Sequence, residues 1–236
     1  MIYKIMPVVM FFFMSFSSNV TKTNRESAKI VSTTKTNSFT LKVETIYNNL
    51  QANSFALPKL ESFSKALQGF YILKDKGLIQ KDILTLVDFS LSANKKRLWV
   101  IDLTTNTILY QSLVAHGKNT GDEFANAFSN SPNSFKSSLG FYSTGDTYLG
   151  KHGLSLQLDG LEKGINDKAR ERAIVMHGAD YANENFIRHN GRLGRSLGCP
   201  AIPMELRDEI IEAIKGKSCL FIYHPSKSYE SKTKLI

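Results

Sequence analysis

The sequence predicts a mainly β fold, a mixed sandwich or barrel, with an N-terminal helical arm and one internal helix. Three observations carry this. Short β-rich runs recur at Ile83–Phe89, Arg97–Leu103, Thr107–Val114, Phe141–Ser143, Leu154–Leu158, Ala173–His177 and Ser218–Tyr223. The loops between them are full of Gly, Ser and Asn. Only one helical run, about Met204–Lys215, falls inside the β region.

At 236 residues the chain has room for one catalytic domain and an appendage. A hydrophobic content of 42% and a charged content of 22% exclude bulk disorder. Two cysteines exclude a disulfide-dense miniprotein and any four-cysteine metal site. Thirty Lys and Arg against 21 Asp and Glu give a net charge of +9, which suits a polyanionic neighbourhood such as anionic lipid, nucleic acid or cell wall.

In chain order, Met1–Ser17 reads as a signal peptide. Lys4 is its positive region, Ile5 to Phe16 its apolar core, and Ser15 and Ser17 are small residues at −3 and −1 of a cleavage site. The apolar run is too short for the ~20 residues of a membrane-spanning helix. Export, to the periplasm or cell envelope, is the expectation, and cleavage after Ser17 removes Lys4, leaving 29 − 21 = +8. Residues 18–38, rich in Ser, Thr, Asn and Lys, read as a flexible linker. Leu41 to Leu50 suits a short helix. Pro58 to Lys76 suits a longer one, with Pro58 at its start and an apolar stripe of Leu60, Phe63, Leu67, Phe70 and Tyr71. Gly77 ends it, and residues 39–80 form the helical arm. The β domain follows over 81–224. Asp102 to Thr107 reads as a hairpin turn, Pro203 precedes the internal helix and Gly216 caps it. Residues 225–236 read as a polar, frayed tail.

The chemistry concentrates between His177 and Cys199. Ala173–His177 is an apolar strand ending in His-Gly, which places an imidazole at a rigid rim and suits a catalytic base. Twenty-two residues on, Cys199 lies in the turn Gly194-Arg195-Ser196-Leu197-Gly198-Cys199-Pro200, where glycine lets backbone N–H groups approach a substrate oxygen. Arg192 and Arg195 are expected to favour the thiolate. Cys219, inside an apolar strand, reads as a small buried hydrophobe, with a Cys199–Cys219 disulfide as the alternative. His116 follows a strand and is expected to line the same cleft or to pack. His189 and His224 read as surface residues, and Asp180 and Glu184 as a solvated loop. Lys163, Lys168, Arg170 and Arg172, interleaved with Asp167 and Glu171, read as a mixed-charge face rather than a nucleic-acid stripe. No close ligand pair calls for a metal, and no cofactor motif is present.

The stretches Val114-Ala115-His116-Gly117, Ser137-Ser138-Leu139-Gly140-Phe141-Tyr142, Leu158–Gly164 and Gly191–Ser196, with His177-Gly178 and Ser196-Leu197-Gly198-Cys199, resemble the L,D-transpeptidase (YkuD-like) catalytic domain over about Ile83 to Tyr223. The resemblance implies a mainly β catalytic domain and a cysteine acyl-enzyme. Cys199 is then the nucleophile, His177 the base, Ser196 and Gly198 the motif residues, with backbone N–H groups of Gly198 and Cys199 as the oxyanion hole, and the Gly178 carbonyl orients the imidazole. Arg195, Arg192, Tyr142, His152 and His116 are the substrate-side residues. The implied partners are peptidoglycan tetrapeptide stems as donor and acceptor, with carbapenem-type β-lactams as inhibitors. The implied reaction is a 3–3 crosslink, or L,D-carboxypeptidase or amidase action when water is the acceptor. Two departures from the family pattern stand out: Leu197 replaces the motif histidine, and Pro200 and Ala201 follow the cysteine. A sortase-like ligase and a catalytically inactive wall-binding module are the alternatives. The first needs an arginine on a later strand, and Ser218–Tyr223 has none.

Overall fold

The computed structural model of the chain describes residues 38–236, so the signal-peptide expectation and nearly all of the linker lie outside the described residues. Residues 38–42 are helical and belong to one compact unit, while Val43–Ile236 form a second, which holds everything below. Its helical residues 43–48 (α1) bury Val43 and place Tyr47 so that its hydroxyl donates to the carbonyl of Pro58 at 2.7 Å.

Helix α2 (Leu60–Asp75) starts two residues after Pro58. Its inward stripe is Phe63, Ala66, Leu67, Phe70 and Leu73, all 0–1% exposed. Burial of each large apolar side chain contributes roughly 1.5–3 kcal/mol. The stripe packs on β1 (Ile83–Asp88) and β8 (Cys219–Tyr223). Of the expected stripe, Leu60 is exposed, because the helix begins there and faces solvent.

The remaining strands are β2 (Leu98–Asp102), β3 (Thr107–Ser112), β4 (Gly140–Gly150), β5 (Gly153–Gly160), β6 (Val175–Gly178) and β7 (Ala201–Ile202). They form one mixed eight-stranded sheet in the order β3-β2-β1-β8-β4-β5-β6-β7. Pairing is parallel at β1–β8 and β6–β7 and antiparallel elsewhere. Past the end of β3, Ala115 bridges Ala201 of β7, so the two edges nearly close on each other as in a barrel. β8 lies in the middle of the sheet with all five residues buried, which explains its unbroken apolar run. The loop from β2 to β3 turns through Asn106 at φ +52°, as its Thr-Thr-Asn-Thr sequence predicts.

Several elements differ from the sequence reading. β4 runs eleven residues, not three. Its inner half is buried, but past Thr144 it turns exposed and a register shift breaks the alternation, so the outer half carries no period-2 signal. That outer half pairs with β5 as far as Gly150 opposite Gly153, leaving Lys151 and His152 as a two-residue turn. Helix α3 (Glu184–Asn190) was not expected. None of its residues is buried, so it has no apolar stripe; its signals were Asn183, which accepts from the Phe186 N–H at 2.7 Å, and Gly191 at φ +73°. The internal helix divides into a 3₁₀ turn, Met204–Leu206, and α4 (Arg207–Ile214). The supposed frayed tail is ordered: α5 (Lys227–Glu230) buries Tyr229, and Leu235 is also buried. Tyr229 and Thr233 donate to the buried carboxylate of Glu162, which also accepts from the Phe141 N–H at 2.7 Å. This packing cannot be read from a polar sequence whose partner lies about 70 residues upstream.

Candidate active site

β6 and β7 set the site. Their parallel register matches His177 with Ala201, an offset of 24 residues. Continued two residues back, the same offset places Cys199 beside Val175, and the Val175 N–H points at the Cys199 sulfur at 3.5 Å. Val175 and His177 share a strand face. Two residues at ~3.3 Å rise and one inter-strand step of ~4.8 Å therefore separate the cysteine and histidine backbones diagonally. Both side chains line one cavity of about 570 Å³, together with Tyr148, His152, Arg172, Tyr181, Arg195, Ser196 and Leu197.

His177 Nδ1 donates to its neighbour's carbonyl, Gly178 O, at 2.9 Å, which assigns the proton to Nδ1 and leaves the Nε2 lone pair available. Gly178 lets two side chains pack close: a Cβ there would lie 2.6 Å from Met204 Sδ, which would have to shift. The ring of His152, on the β4–β5 turn, stacks on His177 with centroids 4.4 Å apart and planes 21° apart. Burial holds the His177 pKa below the ordinary imidazole value, and the neighbouring His152 and Lys151 act in the same direction.

The cysteine is half-buried and free, as is the fully buried Cys219, so the two form no disulfide. Burial raises the Cys199 pKa; the Val175 N–H, the Arg172 guanidinium and Lys151 oppose it. The cations that favour the thiolate are therefore Arg172 and then Lys151, not Arg192 or Arg195. Arg172 donates to the carbonyls of Ser129 (2.9 Å) and Lys136 (2.6 Å) and to Ser138 Oγ (2.6 Å), which fixes it under the cavity wall. Its alternating charged neighbours gave no hint of this inward turn. Arg195 lines the cavity, but its guanidinium is held by Asp122 and by the carbonyls of Lys118 and Gly121. Arg192 does not line the cavity; its guanidinium folds back on the carbonyl of Leu193 at 3.0 Å.

The turn carrying Cys199 is held from below. Ser196 Oγ accepts from the Gly198 N–H at 3.0 Å and donates to the Cys199 carbonyl at 2.6 Å. The Gly198 N–H is thus engaged within the turn rather than directed at a substrate, contrary to the expected oxyanion role. Gly198 sits at φ +131°, where a side chain would be strained. Ser137 Oγ donates to the Gly198 carbonyl at 3.0 Å. The Ala115-His116-Gly117-Lys118 segment runs alongside: the Ser196 N–H donates to His116 O at 2.9 Å and the Lys118 N–H to Ser196 O at 2.8 Å.

Two expected substrate residues are scaffold instead. His116 is fully buried outside the cavity; its Nδ1 accepts from Arg97 at 2.8 Å and its Nε2 donates to Gly121 O at 3.1 Å. Burial first, then the Arg97 charge, pushes its pKa down to about 4. Tyr142 is buried with its hydroxyl donating to Ser138 O at 3.0 Å. An apolar strand position facing the core was the available signal for Tyr142; for His116 the cue was an apolar stretch entering the residue. His152 does line the cavity, and Leu197 is 56% exposed at its rim. His224, read as a surface residue, is half-buried against Phe128 with ring centroids 5.0 Å apart.

A half-buried thiol that shares one cavity with an imidazole in its Nδ1–H tautomer, at the edge of a nearly closed mixed sheet, suits thiol nucleophilic chemistry. Residues 57–223 match the L,D-transpeptidase catalytic domain, and the chain belongs to that family. The match takes in α2 as well as the sheet. No curated protein matches. Among solved structures, an L,D-transpeptidase from Mycobacterium smegmatis is similar at 10% identity and TM-score 0.38, covering 61% of this chain and 59% of that one. The L,D-transpeptidase LdtMt1 in complex with imipenem is similar at 10% identity and TM-score 0.37, covering 60% and 59%. The helical cell shape determining protein Pgp2 (K307A mutant) from Campylobacter jejuni is similar at 13% identity and TM-score 0.42, covering 69% and 57%. This chain thus spans less than two thirds of the length of these structures, and the family assignment rests on the domain match.

Proposed function

We propose that this protein is an exported cysteine acyltransferase of the cell envelope that acts on peptidoglycan tetrapeptide stems and forms 3–3 crosslinks. The observation that carries the reading is the β6–β7 register, which sets Cys199 diagonally from His177 in one cavity. The thiol is raised and the imidazole lowered, so the resting pair is neutral and proton transfer accompanies attack. His177 Nε2 takes the thiol proton as sulfur adds to the carbonyl of the third stem residue. The N–H of Cys199 itself serves the oxyanion, since that of Gly198 is engaged by Ser196. The imidazolium then protonates the departing D-alanine, leaving a thioester. An amine of a second stem attacks the thioester, His177 accepts its proton, and the thiol is restored. Water in place of the amine gives an L,D-carboxypeptidase at the same site.

Carbapenem-type β-lactams are proposed to acylate Cys199. Intact-mass measurement after incubation with imipenem is expected to show one added inhibitor on the reduced protein and none on Cys199→Ala. An unmodified wild-type protein would contradict the thiol assignment.

A further inference from the structure

A second hollow opens beside the cysteine cavity. It measures about 390 Å³ and is lined by Lys151, His152, Asp180, Tyr181, Met204 and Arg207, among others. Lys151, His152 and Tyr181 line both hollows, so the two adjoin at the turn that stacks on His177. Its charges are two cations and one carboxylate. Among the described residues neither Lys151 nor the Asp180 side chain forms a hydrogen bond or an ion pair, and Arg207 bonds only through Nε, to Asp208 at 2.6 Å. Arg207 is brought here by two glycines. A Cβ on Gly153 would lie 2.6 Å from its Nη1, and one on Gly178 2.9 Å from its Cδ. The Arg207 side chain therefore lies against Gly153 at the start of β5 and Gly178 at the end of β6, and is only 18% exposed.

Amide exchange dictates what such a hollow can hold. The amine that attacks the thioester forms the same kind of bond that the departing amine broke, and His177 serves both. Entering and leaving amines therefore share one place. The leaving group is an α-amino acid, with a carboxylate two bonds from its nitrogen. A cation in the adjoining hollow suits that carboxylate, and a carboxylate there suits a free ammonium before its deprotonation.

We propose that the Lys151–Asp180–Arg207 hollow is the subsite for the entering and leaving amine, and that it selects amines bearing an α-carboxylate; this rests on the reading of Cys199 as nucleophile. The step balances: the amine nitrogen bonds to the thioester carbon, the C–S pair returns to sulfur, and the amine proton passes through His177 to the thiolate. Arg207 supplies the carboxylate partner from the start of α4.

The test supplies the wild-type protein and disaccharide-tetrapeptide with deuterated D-alanine or deuterated D-alaninamide at equal concentration, and reads incorporation by mass spectrometry. Both nucleophiles compete for the same acyl-enzyme, so their ratio is independent of how fast it forms. D-Alanine is expected to be favoured by about tenfold, the equivalent of ~1.4 kcal/mol, although the amide carries more free amine at neutral pH. Lys151→Gln with Arg207→Gln is expected to bring the ratio near one, and Arg207→Lys to retain most of it. Lys151→Gln alone changes an exposed side chain and keeps the test valid if the double variant does not fold. Equal incorporation of acid and amide by the wild type, an unchanged ratio in the variants, or tripeptide without any exchange would overturn the subsite while leaving the cysteine reading intact. No release of D-alanine from the tetrapeptide would overturn both.

Discussion

The N–H of Val175 points at the sulfur of Cys199 from 3.5 Å, across the same 24-residue offset that pairs His177 with Ala201. One strand register thus places the thiol, gives it a hydrogen-bond donor and sets its distance from the imidazole. The spacing of 22 residues between His177 and Cys199 is that offset less one step of two along the strand face. Arg172 completes the setting as the charge that opposes burial at the sulfur.

The thiol should therefore ionise late. Its raised pKa predicts that alkylation by iodoacetamide climbs with pH through and beyond the ordinary thiol range, without a plateau near neutrality. Arg172→Gln removes a favourable charge and should slow alkylation at pH 8 by about fivefold, with thermal unfolding measured alongside because Arg172 also ties down Ser129, Lys136 and Ser138. An unchanged rate in a folded variant would remove Arg172 from the site.

Acid should destabilise the fold through His116. Its folded pKa of about 4 lies below the unfolded 6.5, so the folded state resists a proton that the unfolded state accepts. Stability is then full above pH 6.5 and falls as pH drops toward 4, by about 3 kcal/mol in all. Urea titrations between pH 7 and pH 4 measure the slope. His116→Gln, which can still accept from Arg97 and donate to Gly121, should flatten it.

The helix–sheet contact has no room at Gly69. A Cβ there would lie 2.0 Å from Phe141 Cζ. Gly69→Ala improves intrinsic helix propensity by ~1 kcal/mol, yet overpacking of this kind costs about 1–3 kcal/mol. A lower melting temperature is the expected net result, and a higher one would show that Phe141 yields readily.

Much of this was legible in the sequence. The seven β-rich runs and α2 appear where pattern placed them, because each buries one face or both and leaves an apolar trace. His177-Gly178 and the Gly198-Cys199 turn stood out because strand rim and glycine turn are local signals. What stayed hidden depends on long-range packing. Arg172 turns inward only because the carbonyls of Ser129 and Lys136 await it, His116 is buried by Arg97, and the C-terminal residues are ordered by Glu162. Exposed elements such as α3 and the outer half of β4 have no buried face, so nothing periodic announces them.

Acyl transfer by Cys199 from a tetrapeptide stem to an amine is the proposed reaction. Mass spectrometry of muropeptides after incubating the protein with disaccharide-tetrapeptide tests it most directly, with Cys199→Ala in parallel. A dimer lacking one terminal alanine is expected with the wild type, and unchanged substrate with the variant. Unchanged substrate with both, while Cys199 is reduced, would contradict it.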